Sequence, residues 1–147
     1  MNPTPEKAAA MPDRPLPALP APPAAARRRA FRSVGELEDV RAFATRVARS
    51  AGLPDLRVER VVLAVNEVAT NSFEHATGGC VITMWVERGS LVCQIDDDGR
   101  FGDAVRVPPP DLESRGHGLM LVDEITDVVR RHVHAGGTST RLHFTIG

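Results

Sequence analysis

The sequence is poor in several residue types. Only Lys7 is a lysine among the 18 basic residues, tyrosine is absent, and aromatic residues make up 4% of the 147 positions. The two cysteines, Cys80 and Cys93, are too few for a disulfide framework and lack the spacing of a metal site. Each falls in a strand-like run, where a free cysteine packs as a small hydrophobe. We therefore expect reduced cysteines in an intracellular protein.

Long apolar runs are missing as well. No stretch approaches the ~18 apolar residues needed to cross a bilayer, and the N-terminus has neither the basic start nor the apolar stretch of a secretory signal. The net charge of −1 gives no reason to expect nucleic acid or an anionic membrane as partner. The apolar fraction of 42% is sufficient for one core. We expect a cytoplasmic protein with no membrane contact and no direct nucleic-acid contact.

Residues 1–29 differ in composition from the rest. They contain eight of the twelve prolines and many alanines, with few large apolar side chains. Such a segment cannot bury enough surface to offset its ordering entropy, so we predict a disordered, partly polyproline-like tail. The arginine triplet 27–29 ends it and is more typical of a solvated charge run than of a nucleic-acid contact. The folded domain is expected at residues 30–147, beginning with a short edge strand at best.

Two helices are predicted next. Ser33 and Glu36 have the spacing of a capping box before a helix that Gly52 ends. A second helix should run from residue 54 or 55 to about residue 75. Its apolar set, in which we include Leu56 and Ser72, predicts that this helix is largely buried.

The rest of the pattern predicts two hairpins. Residues 80–87 and 91–96 alternate with period two around a tight turn. A loop of about twenty residues follows, and loops of that length are usually functional or disordered. A helix at 118–126 then precedes strands at 128–134 and 138–146. Strands that arrive as hairpins imply an α+β fold, a two-layer sandwich of a mostly antiparallel sheet with helices on one face.

Polar residues interrupt the second helix at a regular spacing. Glu67, Asn71 and His75 are four residues apart and therefore lie along one face. One interpretation is an ordinary solvent-facing stripe. The other is a functional set, because polar groups on a mostly buried helix must find partners. The spacing alone does not decide between them.

Three further patterns contain glycine or aspartate. In the run 96–99 a carboxylate can accept a hydrogen bond from an exocyclic amino group, and Gly99 lets the backbone turn close to a ligand. Three adjacent aspartates leave the exact position open, although the end of the strand favours Asp97. The run 116–119 before a helix can offer amide N–H groups to phosphate. Gly137 and Thr138 lie in a hairpin turn. Each pattern alone is a common turn signal.

In order and spacing, these four elements together resemble the boxes of the GHKL (histidine kinase-like) ATPases. Within that superfamily the chain looks most like the small anti-sigma factors with serine-kinase activity. The resemblance runs from about residue 30 onward and implies the Bergerat ATP-binding fold. The matching positions are Glu67, Asn71 and His75 for E-x-x-x-N and its following histidine, Asp97 and Gly99 for D-x-G, Gly116, Gly118 and Leu119 for G-x-G-L, and Gly137 and Thr138 for G-T.

The resemblance implies ATP and Mg²⁺ as cofactors and assigns roles to these positions. Asn71 would hold the magnesium that bridges the phosphates, and Glu67 would act as general base on the incoming hydroxyl. Asp97 would read the adenine amino group with help from Thr138. The phosphate lid would be formed by Gly116, His117, Gly118 and Leu119. Such a constellation suits phosphoryl transfer to a serine, a weak nucleophile that needs a nearby base.

An arginine on the first helix assists transfer in the anti-sigma kinases, and Arg41 is the best positional match, although Arg46 and Arg49 share the helix. The chain departs from the family pattern at Phe101, which replaces the second glycine of D-x-G-x-G. His117 could reach phosphate or be an ordinary loop histidine. No phosphoacceptor-histidine helix precedes the domain, so the pattern does not fit a complete histidine kinase.

The resemblance predicts a protein serine/threonine kinase that sequesters a sigma factor and phosphorylates an anti-anti-sigma partner of the STAS type. It also allows for a homodimer. The alternative is a nucleotide-binding regulatory module without phosphotransfer, motivated by Phe101 and by the prolines of the lid. A nucleic-acid-binding regulator acting through the arginine triplet has little support, and steep salt dependence would be its signature.

Overall fold

The computed structural model describes residues 19–99 and 121–146. The first eighteen residues of the predicted tail, the loop with Phe101 and the predicted lid residues Gly116, His117, Gly118 and Leu119 lie outside the described residues. In chain order the elements are β1 Arg27–Phe31, a 3-10 turn Val34–Glu36, α1 Leu37–Ser50, α2 Asp55–His75, β2 Cys80–Glu87, β3 Ser90–Asp97, helical residues 121–125, β4 Val128–His134 and β5 Gly137–Thr145.

The five strands form one antiparallel sheet in the order β1-β2-β3-β5-β4. The two predicted hairpins, β2–β3 and β4–β5, are both present, and β5 pairs with β3 so that the hairpins join into one layer. The helices pack on one face of this sheet. The predicted α+β two-layer sandwich is thereby confirmed.

The core lies between the helix layer and the sheet. Because helical positions three or four apart share a face, α1 and α2 each present an apolar stripe to the sheet. Alternate residues of β3 complete it from the other side. The core side chains of these elements are Val40, Phe43, Ala44, Val47 and Ala48 from α1, Val58, Val61, Ala64, Val65, Val68 and Ala69 from α2, and Leu91, Cys93 and Ile95 from β3.

The start of the domain differs from the prediction. The arginines at 27–29, assigned above to the tail, belong to β1, which pairs with β2 from Arg27 opposite Met84 to Phe31 opposite Cys80. Backbone hydrogen bonds of the ladder need no particular side chain, and charged residues are common on edge strands. Phe31 is buried, and the Arg29 guanidinium lies 5.1 Å from its ring centroid. The burial of Phe31 and the complete set of backbone hydrogen bonds to β2 therefore hold these basic residues in a strand.

The predicted capping box is also wrong. Ser33 makes no side-chain cap and precedes the 3-10 turn, while the Glu36 carboxylate accepts a hydrogen bond from the Arg32 backbone N–H. The helix α1 therefore begins later, at Leu37. Leu56, expected to be buried, is 63% exposed because it lies on the side of α2 opposite Val61.

Both cysteines are free and buried, as predicted. Burial raises the pKa of the Cys80 thiol to about 12, with the carboxylate of Asp97 adding to the effect, and burial raises the pKa of Cys93 as well. Both thiols therefore stay protonated at neutral pH and pack as apolar groups. Within the two described ranges, no helix combines the length and apolarity needed to span a membrane.

Candidate nucleotide-binding site

The three consecutive aspartates at the end of β3 have three different surroundings. Asp96 faces away from the helices, where it accepts hydrogen bonds from Ser139 Oγ and, at 2.9 Å, from Gln94 Nε2. Asp98 is exposed and accepts from the backbone N–H of Thr77 at 2.8 Å and from its hydroxyl at 2.6 Å. These contacts fix the loop between α2 and β2. Only the remaining carboxylate, that of Asp97, faces the helix layer.

Asp97 is half-buried and is held by two donors. Ser72 Oγ on α2 donates to its Oδ2, and the backbone N–H of Gly99 donates to its Oδ1 at 2.8 Å. Burial raises the pKa of Asp97 and outweighs these two hydrogen bonds, which lower it. The result is an oriented carboxylate whose charge is poorly solvated. A carboxylate in this condition favours a ligand that donates hydrogen bonds to it.

Gly99 brings three elements together. A Cβ built on Gly99 would lie 2.8 Å from the carbonyl oxygen of His75, at the end of α2. From the other side, Thr138 Oγ1 on β5 donates to the carbonyl of Gly99 at 2.7 Å. Asp97 and Thr138 are directly paired in the β3–β5 register. The predicted residues Asp97, Gly99 and Thr138 therefore form one cluster.

The polar face of α2 lies next to this cluster. Glu67 and Asn71 are half-buried, and Asn71 immediately precedes Ser72, the donor to Asp97. An α-helix turns by about 100° per residue. Since Ser72 points to the sheet, Asn71 and Glu67 lie on the flank of the helix beside the cluster. His75 is exposed, with its ring 4.0 Å from Glu74.

Arg41 lies at the boundary between α1 and α2. Its Nη1 donates to the Oδ1 of Asn66 at 3.1 Å. Asn66 precedes Glu67 and therefore points about 100° away from it around the helix. The structure thus places Arg41 near the helical turn that carries Glu67, with its guanidinium directed toward the neighbouring side chain. The cluster around Asp97 does not include it.

The remaining hydrogen-bonding capacity of the cluster suits adenine. An ionised carboxylate offers about four lone-pair sites, and Ser72 and Gly99 occupy two of those of Asp97. The remaining sites can accept from an exocyclic amino group. Gly99 has no side chain, which lets the His75 carbonyl approach it and so places the end of α2 next to Asp97.

A magnesium ion bound together with ATP would need only one or two ligands from the protein. The described ranges contain no group of three His, Cys, Asp or Glu side chains arranged to hold a metal. Mg²⁺ usually keeps several waters and takes one or two protein oxygens together with phosphate oxygens. Asn71, half-buried on a helix flank, could supply one such oxygen from its side-chain amide.

Ser72 is the residue that sequence reasoning missed. It was counted with the apolar set of α2, and it is indeed buried. A hydroxyl at a core position must find a hydrogen-bond partner. This requirement is the feature of the sequence that points to Ser72. The partner, Asp97, is 25 residues away and could not be chosen from three adjacent aspartates without the register of the sheet.

A cavity of about 440 Å³ lies at the same end of the sheet but reaches its other face. Its lining includes Asp96, Asp97, His134 and Ser139, and it does not include Glu67 or Asn71. His134 Nε2 lies 3.2 Å from Ser139 Oγ there. This cavity therefore borders the cluster at Asp97 but does not extend to Glu67 and Asn71 on α2.

The fold and this cluster define a class, the two-layer ATP-binding sandwich in which a helix and the end of a central strand share the site. The family model of the histidine kinase-like ATPase domain matches residues 32–144. The chain belongs to this family and is an ATP-binding domain. A comparison with curated proteins gave no match.

Solved structures share the fold. The RsbU and RsbW domains of Rv1364c from Mycobacterium tuberculosis match with a TM-score of 0.65 and 20% identity, over 84% of this chain and 33% of that one. The Acinetobacter baumannii histidine kinase AdeS matches with a TM-score of 0.50 and 15% identity, over 82% of this chain and 68% of that one. The chain thus spans about a third of the length of the first of these structures.

Proposed function

We propose that this domain is an anti-sigma factor with ATP- and magnesium-dependent serine/threonine kinase activity. It would hold a sigma factor and transfer the γ-phosphoryl group of ATP to a serine of an anti-anti-sigma partner of the STAS type. The observation that carries the proposal is the cluster of Asp97, Gly99 and Thr138 beside the Glu67–Asn71 flank of α2. The similarity to a structure that includes an RsbW domain supports it at the level of the fold.

In this proposal, different residues recognise the adenine base and carry out phosphoryl transfer. Asp97 would accept from the adenine amino group, which orients the nucleotide with its phosphates along α2. Magnesium held by Asn71 would offset charge on the transferring group, where most catalysis of phosphoryl transfer resides. Glu67, one helical turn earlier, would take the proton of the attacking serine hydroxyl. Both side chains stand on one helix, so their separation is fixed by its backbone.

The test is transfer of labelled phosphate from ATP to purified STAS-domain proteins of the same cell. Glu67→Gln should lower the transfer rate by about 100-fold or more, the usual contribution of a general base, while ATP still binds. Glu59→Gln is the matched control, because Glu59 is an exposed glutamate on the same helix and should transfer at the wild-type rate. Equal transfer by wild type and Glu67→Gln would contradict the proposed role of Glu67.

The anti-sigma activity is tested separately, by co-purification of a sigma factor with the full chain. Glu67→Gln should retain the sigma factor, because that variant is expected to keep nucleotide and fold. Adding the unphosphorylated STAS partner should release it. If no sigma factor co-purified while phosphate transfer was intact, the anti-sigma activity would be contradicted and the protein would be a kinase of another pathway.

The second candidate is a regulatory module that binds nucleotide without transferring phosphate. The contact of Arg41 favours it, because its guanidinium donates to Asn66, which points about 100° away from Glu67 around α2. In that case calorimetry would show magnesium-ATP binding with no transfer to any partner. Failure to bind ATP at all would contradict both candidates.

A further inference from the structure

The face of the sheet that points away from the helices is unusually well covered. In a two-layer sandwich this face normally contacts water and carries exposed polar side chains. Here Val92 is 0% exposed, Arg141 5% and Trp85 6%. None of the three lies on the helix side, because they alternate with the core residues Cys93, Leu142 and Met84. Some part of the chain must therefore cover them.

Arg141 is the polar centre of this face. Its Nε donates to Gln94 Oε1 at 2.8 Å, and its Nη2 donates to the same oxygen. Its guanidinium carbon lies 4.9 Å from the ring centroid of Trp85. The same Nη2 also donates to the backbone carbonyl of Pro20. A buried guanidinium is thus satisfied in part by the segment that precedes β1.

The position of this contact shows that the segment crosses the sheet. Arg28, Thr83, Gln94 and Arg141 are paired in one row across β1, β2, β3 and β5. Three strand spacings separate the ends of that row, about 14 Å. Six residues lie between Pro20 and β1, and an extended polyproline-like chain advances ~3.1 Å per residue. The turn at 23–26 shortens this reach, but the length still suffices because the Arg141 guanidinium itself extends back over Trp85 on β2.

The composition of the segment suits such a surface. Residues 19–26 contain no charge and consist of leucine, three prolines and four alanines, with a turn closed by Ala26 N–H to the Pro23 carbonyl at 3.0 Å. Polyproline segments make no internal hydrogen bonds, so their carbonyls are free to accept. Aromatic side chains beside a hydrogen-bond donor are the usual way in which proteins bind them. Trp85 and Arg141 supply these two features.

We propose that the outer sheet face around Trp85 and Arg141 is a binding surface for an extended, proline-rich segment, and that residues 19–26 of the same chain occupy it. The segment precedes residues 32–144, the range matched by the family. The surface is separate from the Asp97 cluster and does not depend on the proposed kinase activity.

The single tryptophan of the chain makes the proposal measurable. In the full chain, the triple variant Leu19→Ser, Pro20→Gly, Pro22→Gly should release the segment. The emission of Trp85 should then shift to the red, and acrylamide should quench it more strongly than in the wild type. The matched control is the triple variant Pro3→Gly, Pro5→Gly, Pro12→Gly, which should leave emission and quenching unchanged. Far-UV circular dichroism would verify that both variants keep the fold.

A peptide with the sequence of residues 15–26, added in excess to the released variant, should restore the protected emission, whereas the same peptide with glycine at every proline should not. Arg141→Lys keeps the charge but loses the two-pronged guanidinium, so it should raise quenching in the otherwise wild-type chain. Unchanged emission in the released variant would overturn the proposal. A wild-type emission that varied with protein concentration would instead assign the occupant to a second copy and overturn the assignment to the same chain.

Discussion

At the scale of single residues, the carboxylate of Asp97 has the most specific environment in the site. Its two oxygens accept from Ser72 and Gly99, and its free lone pairs face the position proposed for adenine. Asp97→Asn replaces one acceptor oxygen by an NH₂ donor. That donor would oppose the backbone N–H of Gly99 or the adenine amino group, and an unmade hydrogen bond of this kind costs about 1–3 kcal/mol. Titration calorimetry should show ATP affinity reduced about tenfold or more.

The neighbouring aspartate provides the control. Asp96→Asn is the same chemical change one residue away, on the opposite face of the sheet, where the contacts are to Ser139 and Gln94. It should leave ATP affinity within about twofold of wild type, since it touches no group of the cluster. If the two variants lost affinity equally, the loss would reflect general damage to the end of β3, and the assignment of Asp97 to the base would fail.

Asp97 should also affect stability as a function of pH. Burial raises its pKa above the usual 3.8, so the folded state holds its proton at pH values where the unfolded state has released it. The stability contributed by Asp97 therefore falls as the pH rises from 3.8 through the folded pKa, and is constant above it. Urea unfolding should show the free energy of wild type minus that of Asp97→Asn decreasing across this window. A difference that rises with pH would contradict the raised pKa.

At the scale of elements, the β4–β5 turn is pressed against the end of β3. A Cβ on Gly137 would lie 1.9 Å from the Asp97 carbonyl, at a φ of +139°, whereas a Cβ on Gly89, in the β2–β3 turn with φ +78°, meets nothing within 4 Å. Gly89→Ala should cost only the left-handed backbone strain, about 1 kcal/mol. Gly137→Ala adds a steric clash and should cost about 3 kcal/mol or more. Thermal unfolding of both variants tests this, and equal losses would contradict the clash.

The same elements show how far the sequence determines the structure. The strand Cys80–Glu87 has the predicted bounds, because alternation of apolar side chains records which face of a strand is buried. The strand Arg27–Phe31 was missed in part, because its arginines pair through backbone groups that composition does not report. An edge strand is defined by its neighbour, and here the first pair, Arg27 and Met84, is 57 positions apart.

The candidate site was predictable to a similar degree. The spacing of Glu67 and Asn71 and the motif glycines pointed to α2 and the end of β3. The contact between Ser72 and Asp97 was not predictable, because it depends on how α2 is rotated over the sheet. Likewise, the hydrogen bond from Arg141 to Pro20 spans 121 positions and follows only from the course of the chain across the outer face.

At the scale of the whole molecule, measurements of thermal stability distinguish nucleotide binding from phosphate transfer. A ligand that binds only the folded state stabilises it by mass action, by about 2.7 kcal/mol at a hundredfold excess over its dissociation constant. For a chain of this size the melting temperature should rise by roughly 10 °C. Magnesium-ATP should produce this shift in wild type and equally in Glu67→Gln, since the proposed base is not needed for binding. Asp97→Asn should show a much smaller shift at the same concentration. A shift lost in Glu67→Gln but kept in Asp97→Asn would reverse the assignment of the two carboxylates, because binding would then depend on the α2 flank and not on the end of β3.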